Sequence, residues 1–382
     1  MSEASRFLMT TCRGGAERAL KGEVARLRPD WRPAYMRRGF LTFKCPATVT
    51  DDEVFATDLG FARRLAIPLG TVGQAASGEP ITSGESDERT AAVWKLAESL
   101  VPGPAHVHVW PRDGALRPEK PAGVAAVGDA DDSETSPPDE VKDDPVARYL
   151  DEVRESLART APPAFAALAT TEAETNRADG EVVLDVCVVS PDEWRVGWHR
   201  ATGTRGHWPG GLFEEALPDH AVSRGYLKIR EALAWSGFAP EPGESIVELG
   251  CAPGGASQAL LDLGLMVHGF DPADVAPAVI ANANFKHWRM RSKDAPRKAF
   301  AGIEWLYVDI NLPPNYTLDT VEGLLRSPGV EFAGLLLTLK LPDWELADEL
   351  PRNLERVRGW GFEHVAMRQL TMNRQEVCVA AW

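Results

Sequence analysis

The chain has 382 residues, 44% of them apolar, and a formal net charge of −15. That length allows two or three domains with cores of their own; no apolar run is long enough to span a membrane and residues 1–6 show no signal-peptide hydrophobic region, so a cytoplasmic protein is expected. Five scattered cysteines (Cys12, Cys45, Cys187, Cys251, Cys378) without a C-x-x-C pair, and eight histidines without metal-ligand spacing, argue against a disulfide framework and against a metal site.

In chain order, residues 7–12 read as a strand, 15–27 as an amphipathic helix and 39–44 as a second strand. This β-α-β pattern predicts a small ferredoxin-like α+β domain over residues 1–75. Residues 90–100 then read as a helix, 106–110 as a strand, 146–160 as a helix, and 182–190 with 193–198 as a hairpin. The order resembles a ferredoxin-like domain joined to a THUMP RNA-binding domain, which would occupy residues 76–205. It is interrupted at about 113–145, where residues 129–144 hold eight acids against Lys142 alone and are expected to be a solvated, disordered insertion. Much of the negative charge is therefore local, and residues 1–75 carry twelve Lys/Arg against eight Asp/Glu.

The C-terminal part, residues 206–382, has the pattern of an α/β Rossmann-type sheet. Residues 223–233 read as an amphipathic helix holding Lys228. Residues 245–250 read as a short buried strand, 251–256 as a glycine-bearing turn and 257–263 as an apolar helix. Residues 266–271 form a strand ending in Asp271, placed where an acid meets a cofactor ribose. Apolar runs at 305–309 and 334–340 end in Asp309 and Lys340, and residues 376–382 form a last strand opened by Glu376. Ligands of open α/β sheets bind at the carboxyl ends of strands, so Asp309 and Lys340 should face one crevice. Glu376 joins them if the last strand runs antiparallel.

The glycine turn lacks the dinucleotide spacing G-x-G-x-x-G. Its run E-L-G-C-A-P-G-G, residues 248–255, resembles the cofactor loop of S-adenosylmethionine methyltransferases, particularly the FtsJ-like ribose methyltransferases and the RNA cytosine-C5 enzymes. That resemblance implies S-adenosylmethionine as cofactor, with Glu248, Gly250, Ala252, Pro253, Gly254, Gly255, Asp271 and Asp309 around it and Asp294 toward its adenine. Further on, S-R-G-Y-L-K-I, V-D-I, L-T-L-K-L-P and R-Q-E-V resemble, in order, the segments that carry the Lys-Asp-Lys-Glu tetrad of FtsJ-like 2'-O-ribose methyltransferases. The likeness is greatest to a bacterial group that methylates a cytidine ribose of large-subunit rRNA, which also carries a Pro-Gly-Gly segment like residues 209–211. It implies Lys340 as general base, with Lys228, Asp309 and Glu376 orienting it and the hydroxyl. Desolvation and Lys228 would favour an uncharged Lys340, and the carboxylates a charged one.

Two basic clusters are candidates for RNA phosphates: Arg13, Arg18, Lys21, Arg37 and Arg38, and Lys286, Arg289, Arg291, Lys293, Arg297 and Lys298 with His287 and Trp288 among them. A solvated charged face is the alternative for each. THUMP domains also accompany base N-methyltransferases with an N-P-P-[YF] loop; residues 311–316, N-L-P-P-N-Y, break that spacing. No cysteine follows a proline, which counts against cytosine-C5 chemistry. A non-catalytic RNA-binding assembly factor is the remaining rival, disfavoured by a filled tetrad.

Overall fold

The computed structural model describes residues 5–73, 83–100, 103–104, 106–113, 145–166 and 179–382. Of the insertion expected over 113–145, only Asp113 and Pro145 are among them; the rest lies outside the described residues. The chain forms two compact units, one ending at Leu212 and the other built on Phe213–Trp382.

In the first unit the elements are β1 (Ser5–Thr11), α1 (Glu17–Leu27), β2 (Arg32–Arg37), β3 (Phe40–Pro46), α2 (Asp51–Phe55), β4 (Arg64–Val72), α3 (Ser83–Ala97), β5 (His106–Pro111), α4 (Pro145–Thr160), β6 (Val182–Ser190), β7 (Glu193–Arg200) and α5 (Gly203–Gly206). One sheet of order β2-β3-β1-β4-β7-β6-β5 runs through them. Residues on both sides of position 75 share it because β4 pairs with β1 through Arg64–Ala66 and with β7 through Ile67–Val72. Helices α3 and α4 cover the β7-β6-β5 end with Val93, Trp94, Leu150, Val153 and Leu157, packed on Leu184, Val186 and Trp194. Strand β6, V-V-L-D-V-C-V-V-S, is buried along almost its whole length, which explains its near-continuous apolar run. The Trp208–Gly211 run packs within this unit, since the Arg64 guanidinium donates to the Trp208 carbonyl at 2.6 Å and Arg205 to that of Arg63 at 2.6 Å.

The second unit comprises α6 (Gly225–Ser236), β8 (Ser245–Leu249), α7 (Gly255–Asp262), β9 (Met266–Phe270), α8 (Pro277–Ile280), β10 (Phe285–Trp288), β11 (Trp305–Val308), α9 (Pro314–Leu325), β12 (Gly334–Lys340), α10 (Leu350–Arg358), β13 (Val365–Arg368) and β14 (Glu376–Ala381). Its sheet has the order β10-β9-β8-β11-β12-β14-β13, parallel except for β14, which is antiparallel to both neighbours. This is a doubly wound sheet whose order reverses between β8 and β11, the place where such folds open a crevice. Right-handed crossovers put α7 and α9 on opposite faces, so the crevice has a wall on each side. Among the described residues no helix is long and apolar enough to cross a membrane.

Candidate active site

The crevice is floored by the turn after β8. Gly250 has φ +88° and its amide donates to the Phe270 carbonyl at 2.9 Å. A Cβ there would stand 2.4 Å from the Asp309 carbonyl oxygen, so only glycine lets this turn lie against the end of β11. Gly255 opens α7, and a Cβ there would meet the Ser223 hydroxyl at 2.1 Å. That close approach seats the start of α6 on α7 and carries Lys228 toward the crevice.

The turn is closed by Asp271, which accepts from the Ala252 amide at 3.2 Å and from the Ala273 amide at 2.8 Å. Ala252 and Pro253 are half-buried at its tip, between the buried Cys251 and Gly254. Glu248 is 1% exposed, beneath the turn, where it accepts a hydrogen bond from the Ser257 hydroxyl of α7. Burial, together with the charges of Asp309 and Asp271, raises its carboxyl to about 8 against the opposing Ser257 bond. The shift favours its protonated form, and its bond with Ser257 ties β8 to α7.

Lys228, Asp309, Lys340 and Glu376 meet at the rim. Lys228 Nζ lies 2.6 Å from Asp309 Oδ2 and 2.6 Å from Glu376 Oε1; Lys340 Nζ lies 3.0 Å from Asp309 Oδ1 and 2.5 Å from Glu376 Oε2. Each ammonium bridges both carboxylates, and each carboxylate both ammoniums, in a closed square of alternating charge. The register explains the meeting: Lys340 ends β12 directly opposite Glu376, the first residue of the antiparallel β14. Asp309 follows β11, and Lys228 is one turn into α6. Burial alone would raise Asp309, but Lys228 and Lys340 bring it down to about 2. Burial also works against the ionised Glu376, which the same two lysines hold below the ordinary range. Lys340 is the most open of the four, its side chain 16% exposed against 13% for Asp309 and 8% for Lys228 and Glu376.

Residues that the sequence did not single out hold this square. Asn373 donates to Glu376 Oε1 at 3.1 Å, and the Tyr307 hydroxyl to Asp309 Oδ2 at 3.3 Å. Glu231, 1% exposed on α6, accepts from the Thr371 and Met372 amides at 2.7 and 2.9 Å. It thereby fixes the turn that delivers Asn373 and Glu376 to the helix that delivers Lys228. The available signal was spacing: Glu231 is one helical turn beyond Lys228.

The remaining candidates are dispersed. Asp294 is exposed in a short 3-10 turn after β10. Lys286 lies 4.1 Å over the Trp288 ring, which stacks on Phe270, and Arg289 pairs with Asp274 at 2.9 Å; Arg291 is exposed. In the first unit Arg37 pairs with Glu193 at 3.2 Å, and Arg13 and Arg38 lie around Asp113. Burial opposes the charge on Asp113, yet Arg63, the Gly14 amide, Arg13 and Arg38 keep it below the usual carboxylate range.

Residues 221–332, which hold the glycine turn, Lys228 and Asp309, match the model of the FtsJ-like methyltransferase family. Similar curated proteins include ribosomal RNA large subunit methyltransferase M of Halorhodospira halophila, 33% identical over 47% of this chain and 52% of that protein, and its namesake in Azotobacter vinelandii, 32% identical over 44% and 50%. The chain thus spans about half the length of the curated relatives it matches. Solved structures that resemble it include TrmN from Thermus thermophilus (15% identity, 99% of both chains, TM-score 0.33) and the fibrillarin pre-rRNA processing protein of Methanococcus jannaschii (12%, 50% and 79%, 0.33). At those scores the likeness adds nothing to the architecture described above.

Proposed function

We propose that the protein transfers a methyl group from S-adenosylmethionine to a ribose 2'-hydroxyl of RNA, with a cytidine of large-subunit rRNA, in the cytoplasm, as its target. The square of Lys228, Asp309, Lys340 and Glu376 beside the glycine turn carries this reading. The residues present fit the cofactor. Gly250 leaves no room for a side chain where the turn approaches β11, and the Asp271 carboxylate stands at the next strand end, where a nucleoside diol is met in folds of this kind. When bound, the cofactor supplies an electrophilic methyl group on a sulfonium.

The chain's own part is to hold a hydroxyl in line and take its proton. Lys340, the most open member, accepts the proton at Nζ once it has given up to solvent the proton it carries as an ammonium in the square. Lys228 holds Asp309 and Glu376 in place from the opposite corner, and those carboxylates orient Lys340 and stabilise the ammonium it becomes. Proton transfer of this kind contributes roughly 10²–10⁴-fold, and in-line positioning as much as about 7–11 kcal/mol.

The test is product mapping. RNA methylated by the enzyme should show one internucleotide bond that resists alkaline cleavage, because the neighbouring 2'-oxygen is capped. A methylated base with every bond still cleavable would refute the proposal.

A further inference from the structure

The wall of the crevice on the α9 side is apolar and open. Leu312 is 45% exposed and Tyr316 62% exposed, in the segment directly after Asp309. Of the other large apolar side chains exposed among the described residues of this unit, Met266 opens β9 and Trp382 follows β14, both at the end of the sheet opposite the crevice, and Ile280 ends α8. A tight turn, in which the Leu312 amide donates to the Ile310 carbonyl at 2.9 Å, keeps Leu312 next to Asp309. Pro313 and Pro314 then start α9, whose inward face is Pro314, Thr317, Leu318, Val321 and Leu324. Tyr316 is thus on the solvent face of the first turn, where its Cα–Cβ bond tilts back toward the helix N-terminus and toward Leu312. Its hydroxyl has no hydrogen-bond partner among the described residues.

Two large exposed side chains four residues apart in the segment after Asp309 call for an occupant. The next charges along the outer face of α9 give no phosphate a partner: Asp319 and Glu322 are acids, both engaged by Arg356 at 2.7 Å. The part of a nucleotide that suits this surface is the face of its base, which stacks on aromatic and apolar side chains. A ribose held at the square keeps its own base within one nucleoside's length of Asp309.

We propose that Leu312 and Tyr316 form the shelf on which the base of the target nucleotide stacks while its ribose lies against the square; this rests on the ribose-methylation reading above. They are positioning residues. Stacking on an aromatic side chain is sequence-tolerant, so the shelf orients the nucleotide without selecting the base.

The test compares full-length wild type with Tyr316→Ala and Leu312→Ala on one RNA, first confirmed by alkaline resistance to receive a 2'-O-methyl group from wild type. Tyr316→Ala should raise the KM for RNA by roughly 5- to 150-fold, with kcat and cofactor affinity nearly unchanged, and Tyr316→Phe should restore it. An RNA abasic at the target position should cost wild type a similar factor and cost Tyr316→Ala little more. If wild type is active and the KM of both alanine variants is unchanged, or the abasic RNA penalises wild type and Tyr316→Ala equally, the shelf does not exist. If wild type leaves every bond alkali-labile, ribose methylation falls and the shelf with it.

Discussion

Each unit keeps a set of charged side chains out of water, and the two sets are closed differently. In the first unit Asp185 is 0% exposed in mid-strand β6, accepting from Trp110 Nε1 at 2.9 Å and facing His199 Nδ1 at 2.6 Å. The other ring nitrogen of His199 lies 2.9 Å from the Gly206 carbonyl, and Arg64 donates to the Trp208 carbonyl, so the cluster ends in main chain and ties the sheet to the segment after β7. In the second unit two corners of the square stay partly open, Lys340 at 16% and Asp309 at 13% side-chain exposure. Charges sealed on all sides hold a fold together; charges left partly open are able to exchange a proton with something outside. The contrast is between a sealed and a partly open use of the same residue types.

The strongest way to break the contrast is at the most open corner. Lys340→Ala should lower kcat for RNA methylation by roughly 10²–10⁴-fold with cofactor affinity close to wild type, and should also lower the thermal midpoint because Asp309 and Glu376 lose one of the two ammoniums that offset their burial, measured by methyl incorporation, titration and calorimetry. A variant that retained most of its activity would make the square as structural as the Asp185 cluster. The converse substitution, Asp185→Ala, leaves His199 and Arg64 buried beside a lost partner. It should destabilise the first unit by about 3–5 kcal/mol, read by denaturant unfolding followed through tryptophan fluorescence. Glu231→Gln keeps the shape of the side chain but removes a charge accepting from two amides, and should cost about 1–3 kcal/mol while lowering kcat through a misplaced Glu376.

The smallest effects lie in pH, where two carboxyls of the second unit have opposite signs. Asp309 is held at about 2, below its value of about 3.9 in an unfolded chain, so the stability it contributes is complete above that higher value and lost as pH falls through the lower. Glu248 is raised to about 8, so the folded chain binds one more proton than the unfolded chain between about 4.3 and about 8, and stability drains away as pH rises across that window. Glu248→Gln should flatten that decline, and its melting temperature should gain on wild type as pH climbs toward the upper limit.

Much of the second unit was legible beforehand because its strands are apolar runs that stop at a polar residue, and parallel strands buried on both faces must look that way. Asp309, Lys340 and Glu376 could each be placed at a strand end, and an antiparallel last strand was enough to bring the third to the other two. What escaped notice was polarity used inward. Glu248 belongs to a motif that resembles cofactor loops, yet its side chain turns under the loop to Ser257; Glu231 and Asn373 read as ordinary helix and turn residues. In the first unit β2 was missed because its residues are largely exposed and its pattern carries no buried face. Strand β4 was missed because Pro68 and Gly70 interrupt it where its pairing with β7 shifts register.

The order in which the corners of the square are synthesised has a consequence of its own. Lys228 precedes the glycine turn, Asp309 and Lys340 follow it, and Glu376 comes on β14, the last strand of its sheet to leave the ribosome. Three corners of the square are therefore made before the fourth, and the square closes only when that reversed strand slides between β12 and β13.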